Sequence, residues 1–117
     1  MRLNLVIPVY NEEQYIGACL EAVVNQVRVP DEVIVVDNGS TDATRTVVDG
    51  FADRLPLTIL SESRQGAMYA RDTGFDAADG EVICRIDADT LLDPHWCERV
   101  EQYMESNPEL DAIAGSQ

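Results

Sequence analysis

The sequence predicts an α/β fold: a doubly wound, mainly parallel β-sheet with helices on both faces. Two observations predict it. Short runs of β-branched and other apolar residues alternate along the chain with segments whose apolar residues recur every three or four positions. These are the patterns of buried strands and amphipathic helices. The connections between them are short, so consecutive strands must run parallel, with a helix crossing from each to the next.

The first half of the chain predicts a strand, a helix and a second strand. Residues 3–9, LNLVIPV, predict the first strand, and EVIVV at 32–36 predicts a second that is buried on both faces. Asn11 is expected to cap the intervening helix, with Gln14 as its capping-box partner. The apolar face of that helix comprises Ile16, Cys19, Leu20, Val23, Val24 and Val27. Pro30 ends the helical region.

The second half repeats this alternation. Ser40 or Thr41 is expected to cap a second helix. Asp93 is expected to cap the fourth, with Pro94 at its first position. The predicted elements are a helix over 42–52, a strand over 57–60, a helix over 64–78, a strand over 81–86, a helix from 94, and a fifth strand over 110–115.

Length and composition narrow the class of protein. A chain of 117 residues forms one domain at most. Its net charge is −14, and all eight basic residues are arginine. Such a surface repels nucleic-acid backbones, so nucleic acid is excluded as a partner. No apolar run reaches the roughly 20 residues of a membrane span.

The three cysteines are Cys19, Cys84 and Cys97, an odd number with wide spacing. This usage predicts a reducing, cytoplasmic compartment, with the inner face of a membrane as a second location, and no disulfide framework. Cys19 and Cys84 are expected in the core. His95 and Cys97 are two apart and do not share a helix face, so the spacing disfavours a zinc site.

Acidic residues follow the predicted strands, where parallel sheets bind ligands. Asp87 and Asp89 end the fourth strand with one alanine between them. On a strand, side chains two apart leave the same face, so these carboxylates would repel each other. A divalent cation, Mg²⁺ or Mn²⁺, would cancel that repulsion and leave coordination positions for phosphate oxygens. The sequence therefore predicts a metal site open to a diphosphate.

Four segments resemble the family-2 glycosyltransferases of GT-A fold, a Rossmann-like nucleotide-binding fold. They are VIPVYNEE, VVDNGSTDAT, RQGAMYARDTG and GEVICRIDADTLLDP, and they occur in the family's order across the whole chain. The resemblance implies transfer of a sugar from a UDP-, GDP- or dTDP-linked donor to an acceptor hydroxyl of a saccharide or lipid, assisted by a metal.

The resemblance also implies roles for individual residues. Asp89 matches the metal ligand of the DxD motif, and Asp87 matches a residue that approaches the ribose or the metal. Pro8, Val9 and Tyr10 would border the nucleoside. Asp37 would bind the base beside Asn38, which stands where the family often has a second aspartate; its amide could also read a base edge.

Two further residues keep two interpretations each. Glu12 either approaches the base or ribose, or is an acid placed to suit a helix dipole. Arg71 either contacts the nucleotide or pairs with acids of the pocket. Trp96, at a helix start, is expected to pack in the core rather than to form an acceptor platform.

Gly66, Ala70 and Gly74 recur every four residues on the predicted third helix. Interior glycines cost up to about 1 kcal/mol relative to alanine, so this row predicts a close approach of the helix to the sheet or to a ligand. Gly66 also lies near the helix start, where free N–H groups favour an anion.

The resemblance implies a whole protein about twice this length, whose second half supplies the acceptor surface and a general base. No residue here matches that base, so we expect residues 1–117 to form a single nucleotide-sugar-binding domain that ends before the acceptor-binding half. Such a unit exposes a sheet edge, which allows self-association. The alternative is a nucleotide-sugar-binding module without complete catalytic machinery.

Overall fold

The computed structural model describes residues 1–107 and 113–114, the last two by their backbone alone. Strands and helices alternate: β1 Leu3–Val9, α1 Ile16–Val24, β2 Glu32–Asp37, α2 Thr44–Asp49, β3 Leu57–Ser61, α3 Ala67–Ala77, β4 Val82–Arg85, α4 Trp96–Ser106 and β5 Ile113–Ala114. This order confirms the predicted α/β alternation. The remaining residues of the predicted fifth strand, 110–112 and 115, lie outside the described part of the chain.

The five strands form one sheet in the order β3-β2-β1-β4-β5. Every pairing is parallel, and β1 lies between β2 and β4. From β1 the chain first builds outward on one side of the sheet and then crosses to the other. The strand order therefore reverses beside β1, at the gap between the carboxyl ends of β1 and β4, which is where open α/β sheets bind ligands.

The side chains of the central strands alternate between two hydrophobic clusters, one on each face. The larger cluster packs β1, β2 and β4 against α1, α2 and α4, and contains Leu5, Ile7, Leu20, Val35, Val48, Cys84 and Cys97. The smaller packs Val6, Ile34 and Val36 against Ala70 of α3. The sheet is thus buried on both faces, as the unbroken apolar run of β2 predicts.

The small residues of α3 allow this helix to lie close to the sheet. A Cβ on Gly74 would lie 2.4 Å from Cγ1 of Val6 and 3.2 Å from Cγ2 of Val36. Ala70, one turn earlier, is 1% exposed. The predicted close approach is therefore confirmed, and its partner at Gly74 is the sheet.

The predicted cap of α1 was wrong. The helix begins at Ile16, and Tyr15 precedes it without a side-chain capping bond. Asn11 instead adopts a left-handed backbone, with φ of 52°. Its Oδ1 accepts a hydrogen bond from the N–H of Thr41 at 2.8 Å, and its own N–H donates to Oγ of Ser40 at 2.9 Å. The side chain joins two loops rather than capping its own helix.

The predicted caps of α2 and α4 also differ from the structure. Ser40 and Thr41 bond to Asn11, and α2 begins only at Thr44, whose N–H donates to Oδ1 of Asp42 at 2.9 Å. Asp93 accepts from the N–H of His95 at 2.9 Å, in a turn that precedes α4. Both helices therefore start later than predicted.

Most of the residues predicted for the core are buried. Cys19, Cys84 and Cys97 are free and buried, and Trp96 packs against the larger cluster. Val27 was wrongly placed on the apolar face of α1, because the helix ends at Val24 and Val27 is 59% exposed. Among the described residues, no helix has the length and apolar character to cross a membrane.

Candidate functional site

A cavity of about 690 Å³ lies at the carboxyl end of the sheet, bounded by β1, β4 and the start of α3. Its volume falls in the range of small-molecule and cofactor sites. One wall follows β1 and comprises Pro8, Val9, Tyr10 and Glu12. The opposite wall comprises Arg85, Asp87, Ala88 and Asp89. Asn38, Gln65, Gly66, Ala67, Met68, Ala70 and Arg71 complete the lining.

Every residue predicted for the site lines this cavity except Asp37. Asp37 ends β2 and is nearly buried, at 9% exposed. Its Oδ1 accepts a hydrogen bond from the N–H of Ser40 at 3.0 Å, which closes the turn after the strand. Binding of a base by Asp37 remains a prediction.

The two carboxylates after β4 both face the cavity, but not as neighbours on a strand. The strand ends at Arg85, and the N–H of Thr90 donates to the carbonyl oxygen of Asp87 at 3.0 Å, so these residues form a turn. Oδ1 of Asp87 lies 2.9 Å from Nη1 of Arg85. Among residues 1–107, no hydrogen bond or ion pair holds the carboxylate of Asp89. Asp89 therefore has its oxygens free for a ligand.

The negative field at this edge is strong enough to affect neighbouring groups. The pKa of Glu12 is raised, first by desolvation and then by the charges of Asp89, Asp42 and Asp87. Burial raises the pKa of the Cys19 thiol to about 12, and the charges of Asp89 and Asp87 add to the rise. A cation placed between them would relieve this repulsion.

The donor set fits a hard divalent cation. Asp87 and Asp89 offer carboxylate oxygens, the ligands that Mg²⁺ and Mn²⁺ prefer. Within the described residues, no cluster of three or more acidic, histidine or cysteine side chains could hold a metal by itself. The remaining coordination positions would therefore fall to phosphate oxygens and water.

Two arginines bring positive charge to the cavity. Nε of Arg71 lies 3.7 Å from Oδ1 of its neighbour Asp72. In the described part of the chain, Arg71 forms no ion pair with an acid of the cavity. Arg85 was missed at the level of sequence, although its place at the end of β4, two residues before Asp87, could have indicated it. Arg64 lies outside the lining, with its guanidinium 4.7 Å from the centre of the Tyr69 ring.

The interpretation of Glu12 as a helix-dipole residue loses its basis in the structure. Because α1 begins at Ile16, Glu12 lies before the first turn, which contains no acidic residue. Its N–H donates to Oγ1 of Thr44 at 2.8 Å, which fixes the residue at the cavity wall. The remaining interpretation, contact with the base or ribose, is untested.

Comparisons with known proteins give a consistent result. The family model "Glycosyl transferase family 2" matches residues 4–116. The glycosyltransferase AglE of Haloferax volcanii is 36% identical over 102 residues, which is 83% of this chain and 33% of AglE.

Solved structures share the fold. S. aureus TarS 1-349 in complex with UDP-GlcNAc has a TM-score of 0.82 and 26% identity over 91% of this chain and 32% of TarS. The mannosyltransferase PcManGT of Pyrobaculum calidifontis, in complex with GDP-Man and Mn²⁺, has a TM-score of 0.80 and 32% identity over 88% of this chain and 32% of PcManGT. The chain spans about a third of the length of these relatives.

Proposed function

Because this chain belongs to glycosyl transferase family 2, we propose that its cavity binds a nucleotide-diphospho-sugar and that it serves as the donor-binding portion of a glycosyltransferase. The observation that carries this proposal is the convergence of separate sequence segments on one cavity. The segments 8–12, 65–71 and 85–89 each contribute lining residues, as does Asn38, at the point where the strand order reverses.

The lining suggests how the donor lies. Pro8, Val9 and the ring of Tyr10 offer an apolar border for the nucleoside. Across the cavity, the guanidinium of Arg71 offers positive charge to the diphosphate, and Gly66 places the start of α3 beside it. The sugar would then lie toward the open side of the cavity, where an acceptor hydroxyl could reach its anomeric carbon.

Asp87 and Asp89 are the residues proposed to hold Mg²⁺ or Mn²⁺. When bound, the cation neutralises the diphosphate and stabilises it as a leaving group. The carboxylates orient it at the end of β4, while the ion pair between Arg85 and Asp87 limits the motion of one of them. PcManGT was solved with both GDP-Man and Mn²⁺, which supports a divalent metal as part of donor binding.

The nucleotide of the donor is proposed to be UDP, GDP or dTDP, as the sequence predicts. TarS was solved with UDP-GlcNAc and PcManGT with GDP-Man. The acceptor is proposed to be a saccharide or a lipid. A second candidate function is a module that binds the donor without completing the transfer.

The experiment that tests the proposal is calorimetric titration with UDP, GDP and dTDP, with and without Mn²⁺, on the wild type and on Asp89→Asn. We expect binding of one nucleotide that requires Mn²⁺, and at least a tenfold loss in the variant, because even changes to residues that only support the metal ligands cost about 10–100-fold. Asp53→Asn is the matched control, since Asp53 is exposed and lies outside the cavity.

Two outcomes would contradict the proposal. One is the absence of binding of any nucleotide by protein that is folded by circular dichroism. The other is equal binding by the wild type and Asp89→Asn with Mn²⁺ present, which would place the metal elsewhere. A radiolabelled-sugar transfer assay would then distinguish the complete enzyme from the binding module.

A further inference from the structure

Asn38 follows β2 and is 5% exposed, and its side-chain amide faces the loop formed by residues 62–66. Its Nδ2 donates to the carbonyl oxygens of Glu62 at 2.9 Å and Arg64 at 2.8 Å. Its Oδ1 accepts from the N–H of Gly66 at 3.0 Å. Two carbonyls require donors and one N–H requires an acceptor, so an amide in this orientation satisfies all three at once.

The 62–66 loop has a second attachment, on α3. The carboxylate of Glu62 accepts hydrogen bonds from the backbone N–H of Arg64 at 2.8 Å and from its guanidinium at 2.9–3.0 Å. The hydroxyl of Thr73 donates to the same carboxylate. None of these three side chains lines the cavity. The loop is therefore held at two points, by Asn38 on the sheet and by Glu62 with Thr73 on the helix.

This loop leads directly into one wall of the cavity. Gly66, which is bonded to Asn38, precedes α3 with φ of 138°, and Gln65, Ala67 and Met68 line the cavity beside it. The amide of Gln65 also donates to the backbone carbonyl of Asn38 at 3.1 Å. A shift of the loop would displace the wall and the free N–H groups at the helix start.

We propose that Asn38 is a positioning residue that locks the 62–66 loop and so sets the affinity for the nucleotide, rather than a residue that distinguishes one base from another. Both hydrogens of its amide are already donated to the loop. The side chain therefore has no donor left for a base edge. This inference rests on the proposed function for the nucleotide, but the lock itself can be measured without any ligand.

The test compares Asn38→Asp with Thr73→Val. Aspartate keeps an acceptor for the N–H of Gly66 but turns an oxygen toward the carbonyls of Glu62 and Arg64, which repels them. Valine has nearly the shape of threonine but lacks the hydroxyl, so Thr73→Val removes the hydrogen bond to Glu62 at a position outside the cavity. The controls are Asn25→Asp and Thr46→Val, which make the same chemical changes at exposed positions on other helical segments.

We expect amide hydrogen exchange at Gly66 to accelerate about tenfold or more in Asn38→Asp, and less in Thr73→Val, because local opening governs exchange. In calorimetry with Mn²⁺, we expect Asn38→Asp to weaken UDP, GDP and dTDP by a common factor of about ten, and Thr73→Val to weaken them in the same direction. The order of preference among the three nucleotides should stay unchanged, and both controls should match the wild type.

Three results would overturn the inference. Unchanged exchange at Gly66 in Asn38→Asp would show that the loop needs no lock. A reversal of base preference in that variant, with Thr73→Val like the wild type, would make Asn38 a base-reading residue. If the wild type binds no nucleotide, the proposed function fails and the claim about affinity fails with it, while the exchange measurement still decides whether the loop is locked.

Discussion

Glu62 is a carboxylate that stays charged although it is nearly buried. Its side chain is 8% exposed, yet it accepts hydrogen bonds from Arg64 and Thr73. These bonds lower the pKa of Glu62 to about 2. The guanidinium of Arg64 contributes most, and the hydroxyl of Thr73 contributes next. A group whose pKa is lower in the folded state stabilises the fold above its unfolded pKa, and that contribution is lost as pH falls toward the folded value.

We therefore predict a pH-dependent difference between the wild type and Glu62→Gln. The melting temperature of the wild type should exceed that of the variant at pH 6, and the gap should narrow as pH falls from about 4.5 toward about 2. Thermal unfolding followed by circular dichroism between these limits measures it. Glu105→Gln, at an exposed position of α4, is the matched control for the loss of a carboxylate. A gap for Glu62→Gln that stays constant over this pH range would contradict the lowered pKa.

Whether the role of a single residue can be predicted from the sequence depends on the groups to which its side chain bonds. The residues that face the cavity could be predicted because their segments carry recognisable chemistry, as Asp89 and Arg71 do. The cap by Asn11 was predicted wrongly, and the loop bonds of Asn38 were not predicted, because a short amide can cap its own helix, read a ligand or join two loops equally well. Only the positions of Thr41 and the 62–66 loop, which are distant in sequence, decide between these uses.

At the scale of elements, the strands were predictable and the helix starts were not. Buried strands can be recognised from continuous apolar runs such as 32–36. This run is visible in the sequence whichever strands it pairs with. Helix starts depend on local capping, and here the capping candidates Asn11, Ser40 and Thr41 bond across loops instead. The helices α1 and α2 consequently begin two to four residues later than such signals indicate.

The packing of α3 gives a prediction about glycine. Gly74→Ala should lower the free energy of unfolding by up to about 2 kcal/mol, because overpacking costs about 1–3 kcal/mol and helix propensity returns only ~1 kcal/mol. The new Cβ would clash with Cγ1 of Val6. The Val6 side chain is short, β-branched and buried, so it cannot swing aside. Urea denaturation measures the change.

The matched control is Gly17→Ala in α1, where the added Cβ would meet its nearest side-chain atom at an ordinary 3.5 Å. That variant should gain about 0.5 kcal/mol from propensity. Adding Val6→Ala to Gly74→Ala removes the clashing atom, so the two changes together should cost less than their sum. Equal signs for the two glycine variants would show that α3 can move away from the sheet.

At the scale of the whole molecule, charge is the dominant feature. The chain carries 22 acidic and 8 basic residues, and the eight arginines are the only basic side chains apart from one histidine. Exposed ion pairs such as that between Arg2 and Asp79 return little energy, so the excess negative charge repels itself across the surface.

We predict that moderate salt stabilises this protein. The melting temperature should rise by about 2–4 °C as NaCl increases from about 0.01 M to about 0.15 M, because the screening length falls from roughly 30 Å to roughly 8 Å. Differential scanning calorimetry measures it, and choline chloride serves as a control for specific binding of Na⁺. A fall in melting temperature would show that ion pairs outweigh the general repulsion.

The strand order has a consequence for how the molecule folds. β1 is made first but lies in the middle of the sheet, and its partner on one side, β4, lies far along the chain, with Leu3 opposite Val82. Contacts of such long sequence separation form slowly, since a large loop must close before they contribute. The strands β1, β2 and β3 can pair as soon as residues 57–61 are available, whereas the cavity exists only after β4 arrives. During synthesis, the cavity is therefore assembled later than the β1–β2–β3 half of the sheet, and until then the exposed edge of β1 is a surface that a chaperone or a wrong strand could meet.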